Sequence, residues 1–225
     1  MEEKKFVDFK KEELKVKEYV KRALGKGKIS SVKIDYTPVG EKVIISTSKP
    51  GIVIGRKGEK IELLTRVIKK RFKFDNLHIE INEITSPSLD AQLVADDIAV
   101  SLEREGPTKF KIVAYRALQN IMGAGALGAE IVLSGKLPSE RARSWRFSQG
   151  YLKKTGDPAK IVNRATSQSK TLPGVVGIKV SILPPDAKIH DRIVINDEMR
   201  KIFMEKSEKS EKESKKVKGA KKWVL

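Results

Sequence analysis

Apolar and polar residues alternate along the chain with two distinct periods, and the changes of period mark out the elements. Between Asp8 and Leu24, Phe9, Leu14, Tyr19 or Val20, and Leu24 recur at helical spacing, and Gly25 and Gly27 supply the stop. Val32, Ile34 and Tyr36 then alternate with Lys33, Asp35 and Thr37, the pattern of a half-buried strand. A turn at Pro38 to Gly40 leads to Val43-Ile44-Ile45, a second strand. From Glu59 onward Ile61, Leu64, Ile68 and Phe72 share one helical face, with Lys60, Arg66, Lys69, Lys70 and Arg71 around the rest. Leu77, Ile79 and Ile81 predict a third strand, so residues 1–85 read α-β-β-loop-α-β.

A second pattern begins at Ser86-Pro87-Ser88, where a serine cap and a proline at the first position predict a helix through Leu89, Leu93, Val94, Ile98 and Leu102 to Gly106-Pro107. Another helix starts near Thr108, carries Phe110, Val113, Ala114, Ala117, Leu118 and Ile121 on one face, and ends at Gly123. Strands are predicted over residues 129–135, 141–149, 161–172 and 175–183. Two helices followed by four short strands imply an α+β domain, helices layered on a sheet. Beyond Pro184-Pro185 the periodicity stops, and EKSEKSEKESKKVKGAKK is too poor in apolar residues to fold alone, so a disordered basic tail is expected. The expected division is 1–85, 86–190 and 191–225.

Charge narrows the partner. The 225 residues hold 47 Lys plus Arg against 29 Asp plus Glu, a formal +18, far beyond what solubility needs, which points to a polyanion. No apolar run approaches the ~20 residues of a membrane span, and the start lacks a secretory pattern, so a cytoplasmic protein with no membrane partner is expected. With no cysteine and only His78 and His190, no metal site, no cofactor and no catalytic triad are expected. His78 reads as a half-exposed strand residue.

The stretch KPGIVIGRKGEKIELL carries the chemistry. Gly55 and Gly58 bracket Arg56 and Lys57 between an apolar run and the start of an amphipathic helix. Glycines there permit a tight turn and close approach of a sugar-phosphate chain, while the helix N-terminus, Arg56, Lys57 and Lys60 supply positive charge. No GxxxxGK[ST] is present, and Gly123, Gly125 and Gly128 fit GxGxxG only in the wrong context, after a helix and before a strand.

In its context the segment VIGRKGEKI resembles the GxxG loop of a KH domain, and the order resembles the type II variant, α-β-β-α-α-β, which clamps single-stranded RNA on that loop. The stretches GALGAEIVLSGKL, RARSWRFSQGYL and TSQSKTLPGVVGIKVSI are similar, in order and spacing, to the C-terminal half of the third universal small-subunit ribosomal protein family, archaeal and eukaryotic type. That resemblance spans about residues 5–185. It implies a structural, non-enzymatic role in the small-subunit head, with small-subunit rRNA, mRNA at its entrance and neighbouring head proteins as partners.

Residues 135–172 carry nine Lys or Arg against Glu140 and Asp157, a density that suits an rRNA-facing surface; a solvated charged face usually mixes both signs. The expected RNA-binding residues are therefore Gly55, Arg56, Lys57, Gly58 and Lys60 on the loop, and Lys136, Arg141, Arg143, Arg146, Lys153, Lys154 and Lys170 in the second half. Bacterial members of the family bear several bases on the second helix of this half that touch incoming mRNA. Here FKIVAYRAL keeps Lys111, with Ile112 and Tyr115 where bases would stand, and Arg116 serves either the RNA or the fold. Trp145 and Phe147 share strand parity and either stack on bases or fill the core, the core being expected for Phe147. Two other classes are open. A KH factor outside the ribosome would carry a further KH repeat or an RNA-binding barrel, and neither is found. A nuclease needs clustered carboxylates, and adjacent Asp96 and Asp97 face different sides of their helix with no partner evident.

Overall fold

The computed structural model describes residues 2–37, 40–72, 74 and 76–187, and the expected tail at 191–225 lies outside them. Residues 1–187 form one compact unit. Its elements are α1 (Glu2–Leu24), β1 (Ile29–Thr37), β2 (Gly40–Thr47), α2 (Pro50–Ile54), α3 (Glu59–Phe72), β3 (Leu77–Glu83), α4 (Ala91–Glu105), α5 (Phe110–Gly123), β4 (Gly128–Gly135), β5 (Arg143–Gly150), β6 (Asn163–Thr171) and β7 (Gly174–Leu183). The α-β-β-α-α-β order of the first half is that of the type II KH fold, and the whole is α+β.

The first sheet has the order β1-β2-β3, with β1 antiparallel and β3 parallel to β2. Its core gathers Val16, Val20 and Leu24 of α1, Val53 of α2, Leu64 and Ile68 of α3, and Val32, Ile34, Val43, Ile45 and Leu77 of the strands. Two expectations are corrected here. Ile52-Val53-Ile54 belongs to a helix of five residues, too short to display a helical period; only Val53 is fully buried. On α1 the buried stripe is Val16, Val20 and Leu24, whereas Phe9 and Leu14 are exposed, because the helix begins at Glu2 and its first turns run on past the core.

The second sheet is antiparallel throughout, in the order β5-β4-β7-β6. Its register puts Ala129, Ile131, Leu133, Phe147, Ile178, Val180 and Ile182 on one face, where α4 packs on β6 and β7 and α5 on β4 and β5. The opposite face carries Ser144, Arg146, Ser148, Glu130, Ser134, Lys179, Ser181, Arg164, Thr166 and Gln168. No layer covers that face among the described residues. Arg141 precedes β5 and Ile161 precedes β6, so both strands begin two residues later than expected.

Helix α4 joins the halves. Its cap is Asp90 rather than a serine: Oδ1 accepts from the N–H groups of Gln92 at 2.8 Å and Leu93 at 3.2 Å, while Pro87–Leu89 forms a separate 3-10 turn. The other Asp90 oxygen accepts from Ser30 of β1. One and a half turns on, Asp96 accepts from the Gly27 N–H at 3.1 Å and from Gln92 Nε2 at 3.1 Å, so this buried carboxylate has partners after all. Near the end of the helix, Glu103 Oε1 accepts from the Lys170 N–H at 2.9 Å and pairs with Lys26 Nζ at 3.3 Å.

The Lys170 N–H bond, followed by Lys26, holds the Glu103 carboxyl below its ordinary pKa of 4.5. A depressed folded-state pKa contributes stability that is present above the unfolded value and is lost as pH falls through the folded one. The melting-temperature advantage of wild type over Glu103→Gln is therefore expected to be constant near neutrality and to shrink below pH ~4.5; an advantage that grows on acidification would contradict it.

Candidate nucleic-acid interface

The GxxG loop is built from left-handed backbone. Gly55 has φ 76°, Lys57 φ 50° and Gly58 φ 82°, and Lys57 is the only described non-glycine residue with positive φ. Gly55 is required twice over: a Cβ there would lie 2.8 Å from Lys60 Cγ, so the Lys60 stem packs where a side chain would stand. At Gly58 the space is open and only the φ selects glycine. The Gly55 N–H closes α2 on the Gly51 carbonyl at 3.0 Å, and α3 starts at once at Glu59. Arg56 and Lys57 are thrust into solvent between two helices, and Lys60 lies exposed one turn on. The exposed apolar residues Ile52, Ile54 and Leu63 lie on the flanking helices.

The expected bases of the second half fall into two groups. On the open sheet face, Glu130 of β4 sits nearly buried and binds Arg146 Nε at 2.7 Å and Lys154 Nζ at 2.7 Å, which aims both cations over the sheet. Lys136, Arg141 and Arg143 are exposed around the β4–β5 connection; Lys153 is half-buried beside Lys154, and Lys170 is exposed at the far end of β6. Lys111 and Arg116 stand apart on α5, in the other layer. Lys111 Nζ lies 5.0 Å from the Trp145 ring centroid, and Arg116 pairs with Glu105 at 3.6 Å. Arg116 thus has a structural partner between its own helix and the end of α4.

The aromatics are committed to the fold. Phe147 is buried, and Trp145 donates Nε1–H to the Leu137 carbonyl at 3.2 Å with its ring 5.3 Å from that of Phe110. Two bases of the open face, one on the inner strand β7 and one on the edge strand β6, lie outside the expected set. Lys179 lies between Ile178 and Val180, and that alternation already placed it opposite the core; Arg164 was counted only in the regional charge. Glu130 gave no signal, because its value lies in cross-strand neighbours.

Among the described residues no cluster of His, Cys, Asp or Glu could hold a metal, and no helix is long and apolar enough to cross a membrane. The family model described as "KH domain" matches residues 15–89, and that described as "Ribosomal protein S3, C-terminal domain" matches residues 98–182. The small ribosomal subunit protein uS3 of Methanocaldococcus jannaschii is 41% identical over 199 residues, covering 88% of this chain and 95% of the relative. Its counterpart in Methanococcus aeolicus is 38% identical over 206 residues, covering 91% and 98%. Both halves and nearly their full length being matched, the chain belongs to the uS3 family of small ribosomal subunit proteins, which is structural and not enzymatic.

Proposed function

We propose that the chain works in the head of the small ribosomal subunit, in cytoplasmic ribosomes, binding rRNA and lining the entrance by which mRNA reaches the decoding site beside neighbouring head proteins. The observation that carries this reading is the loop at Gly55–Gly58, whose left-handed backbone holds Arg56 and Lys57 outside the core. A backbone bent that way leaves room for a sugar-phosphate chain, and two unburied cations meet its charge. Residues 1–85 then handle single-stranded RNA, and 86–190 anchor the protein on rRNA.

For the anchor, the support is the open sheet face. Arg146, Arg164 and Lys179 stand on it among Ser134, Ser144, Ser148, Ser181 and Thr166, with no exposed aromatic in the rows they form. Cations and hydroxyls suit phosphates and 2′-hydroxyls, and the absence of stacking platforms argues for structured RNA over splayed bases. Glu130 neutralises part of the charge but fixes the direction of Arg146 and Lys154, so less rotamer freedom is lost on binding.

Replacing Arg56 and Lys57 with Asp is expected to leave the melting temperature unchanged and to weaken binding of single-stranded RNA at low salt. Lys57→Gly separates charge from backbone: relief of the left-handed cost, ~1–2 kcal/mol before the entropy of glycine is subtracted, keeps or raises stability while affinity falls. Unchanged affinity in both variants, measured by fluorescence anisotropy, would remove the loop from the interface.

Arg141, Arg143 and Arg146 replaced together by Ser are expected to lower incorporation into small subunits more than the loop variant does, read as the ratio of tagged to untagged chain in gradient-purified subunits. Normal incorporation of the triple variant would reverse the assignment of the two halves.

A further inference from the structure

β6 is the edge strand of the second sheet, and an edge presents unpaired N–H and C=O groups that must be guarded or paired. Two bonds fix the parity of this edge. The Lys170 N–H donates to Glu103 Oε1 at 2.9 Å, and the Gln168 carbonyl accepts from Lys26 Nζ at 2.8 Å. The even-numbered residues of β6 therefore turn their backbone groups away from β7. Lys26 and Glu103 guard the edge at 168 and 170. At Arg164 and Thr166 no described residue bonds to the outward groups.

Thr166 to Gln168 form one wall of a cleft of about 710 Å³; the other is made by the C-terminal half of α1 and by Ser30–Val32 of β1, itself the edge strand of the first sheet. The lining is charge-compensated. Lys17 is held by Glu13 at 2.5 Å and Lys26 by Glu103 at 3.3 Å, and the third lining lysine, Lys21, is set against the lining carboxylates Glu18 and Asp96. Such a lining offers little net field to a nucleic-acid backbone, whose binding is dominated by unneutralised cations. Its open hydrogen-bonding groups are those of strand backbone, and Leu14, 57% exposed at the rim, offers an apolar contact.

We propose that the edge of β6 at Arg164–Thr166 takes an extended segment of a neighbouring protein as an added strand. The inference rests on the ribosomal reading above, which supplies polypeptide neighbours. Charge compensation selects peptide over RNA, and the open parity of the edge selects a strand over a helix.

The test puts photoreactive benzoylphenylalanine at position 14 of the complete chain, on the exposed rim of the cleft and away from the open sheet face, irradiates gradient-purified small subunits and maps the adduct by mass spectrometry. The expected adduct is to a peptide of one neighbouring protein. A parallel pair uses the backbone itself: Thr166→Pro removes an N–H that the chain's own sheet does not use, whereas Thr166→Ala keeps it. The proline variant is expected to melt as the alanine variant does and to compete into subunits roughly three- to tenfold less well than the alanine variant, which loses the same side-chain hydroxyl but keeps the N–H, the worth of about one strand hydrogen bond. An adduct to rRNA, an adduct to residues 188–225 of the same chain, no adduct, or equal incorporation of a folded proline variant would each overturn the proposal while leaving the ribosomal reading intact. A proline variant that fails to fold leaves the adduct to decide. Failure of the unmodified chain to sediment with small subunits would overturn both.

Discussion

A buried carboxylate has to be paired, and Asp96 is paired across the middle of the molecule. It is 8% exposed on α4, and its oxygens are met by a main-chain N–H of the turn that follows α1 and by a side-chain amide of its own helix. Leaving such a group without partners costs several kcal/mol, so the turn at Gly27 is held where the carboxylate can reach it. Asp90 and Glu103, about two turns to either side, repeat the arrangement with Ser30, Lys26 and the edge of β6. The adjoining face of the same helix, Ala95, Ile98, Ala99 and Leu102, is sealed against the second sheet. One helix therefore belongs to two cores' worth of structure, by apolar packing on one side and by acidic side chains on the other.

That coupling decides what the basic surfaces can do. The GxxG loop and the open face of the second sheet lie in different layers, and neither alone explains the excess of lysine and arginine. Held by α4 as one unit, they present two basic surfaces at a fixed separation, which under the function proposed above raises the effective concentration of the second RNA contact once the first is made. The acidic residues are spent accordingly. Glu130 orients two cations, Glu105 takes Arg116, and Glu13 takes Lys10 and Lys17, so much of the negative charge organises positive charge near it.

Periodicity made the long elements legible because burial on one face forces it. The alternation in β7 and the stripe on α5 were readable for that reason, and Phe147 was placed in the core by the same logic. What periodicity could not reveal was α2, whose five residues are fewer than two helical turns, and the cap at Asp90, because Ser86-Pro87 offered a stronger local signal one 3-10 turn earlier. The loop residues were legible from glycine spacing, since positive φ is the commonest reason for paired glycines beside a helix start. Cross-strand and cross-half partners were not: Asp96 with Gly27 and Glu130 with Arg146 are neighbours only after the sheets have formed.

The central claim is that α4 fixes the two basic surfaces relative to each other in the free protein. The chain has no cysteine, so Arg56→Cys and Lys179→Cys place one spin label on the loop and one on the open sheet face without background. Pulsed electron-electron double resonance on that pair reports the separation directly. The account predicts a single narrow distance distribution that broadens when Asp96 and Glu103 are both replaced by Ala; a broad distribution in the otherwise wild-type chain, or one indifferent to losing both carboxylates, would contradict it.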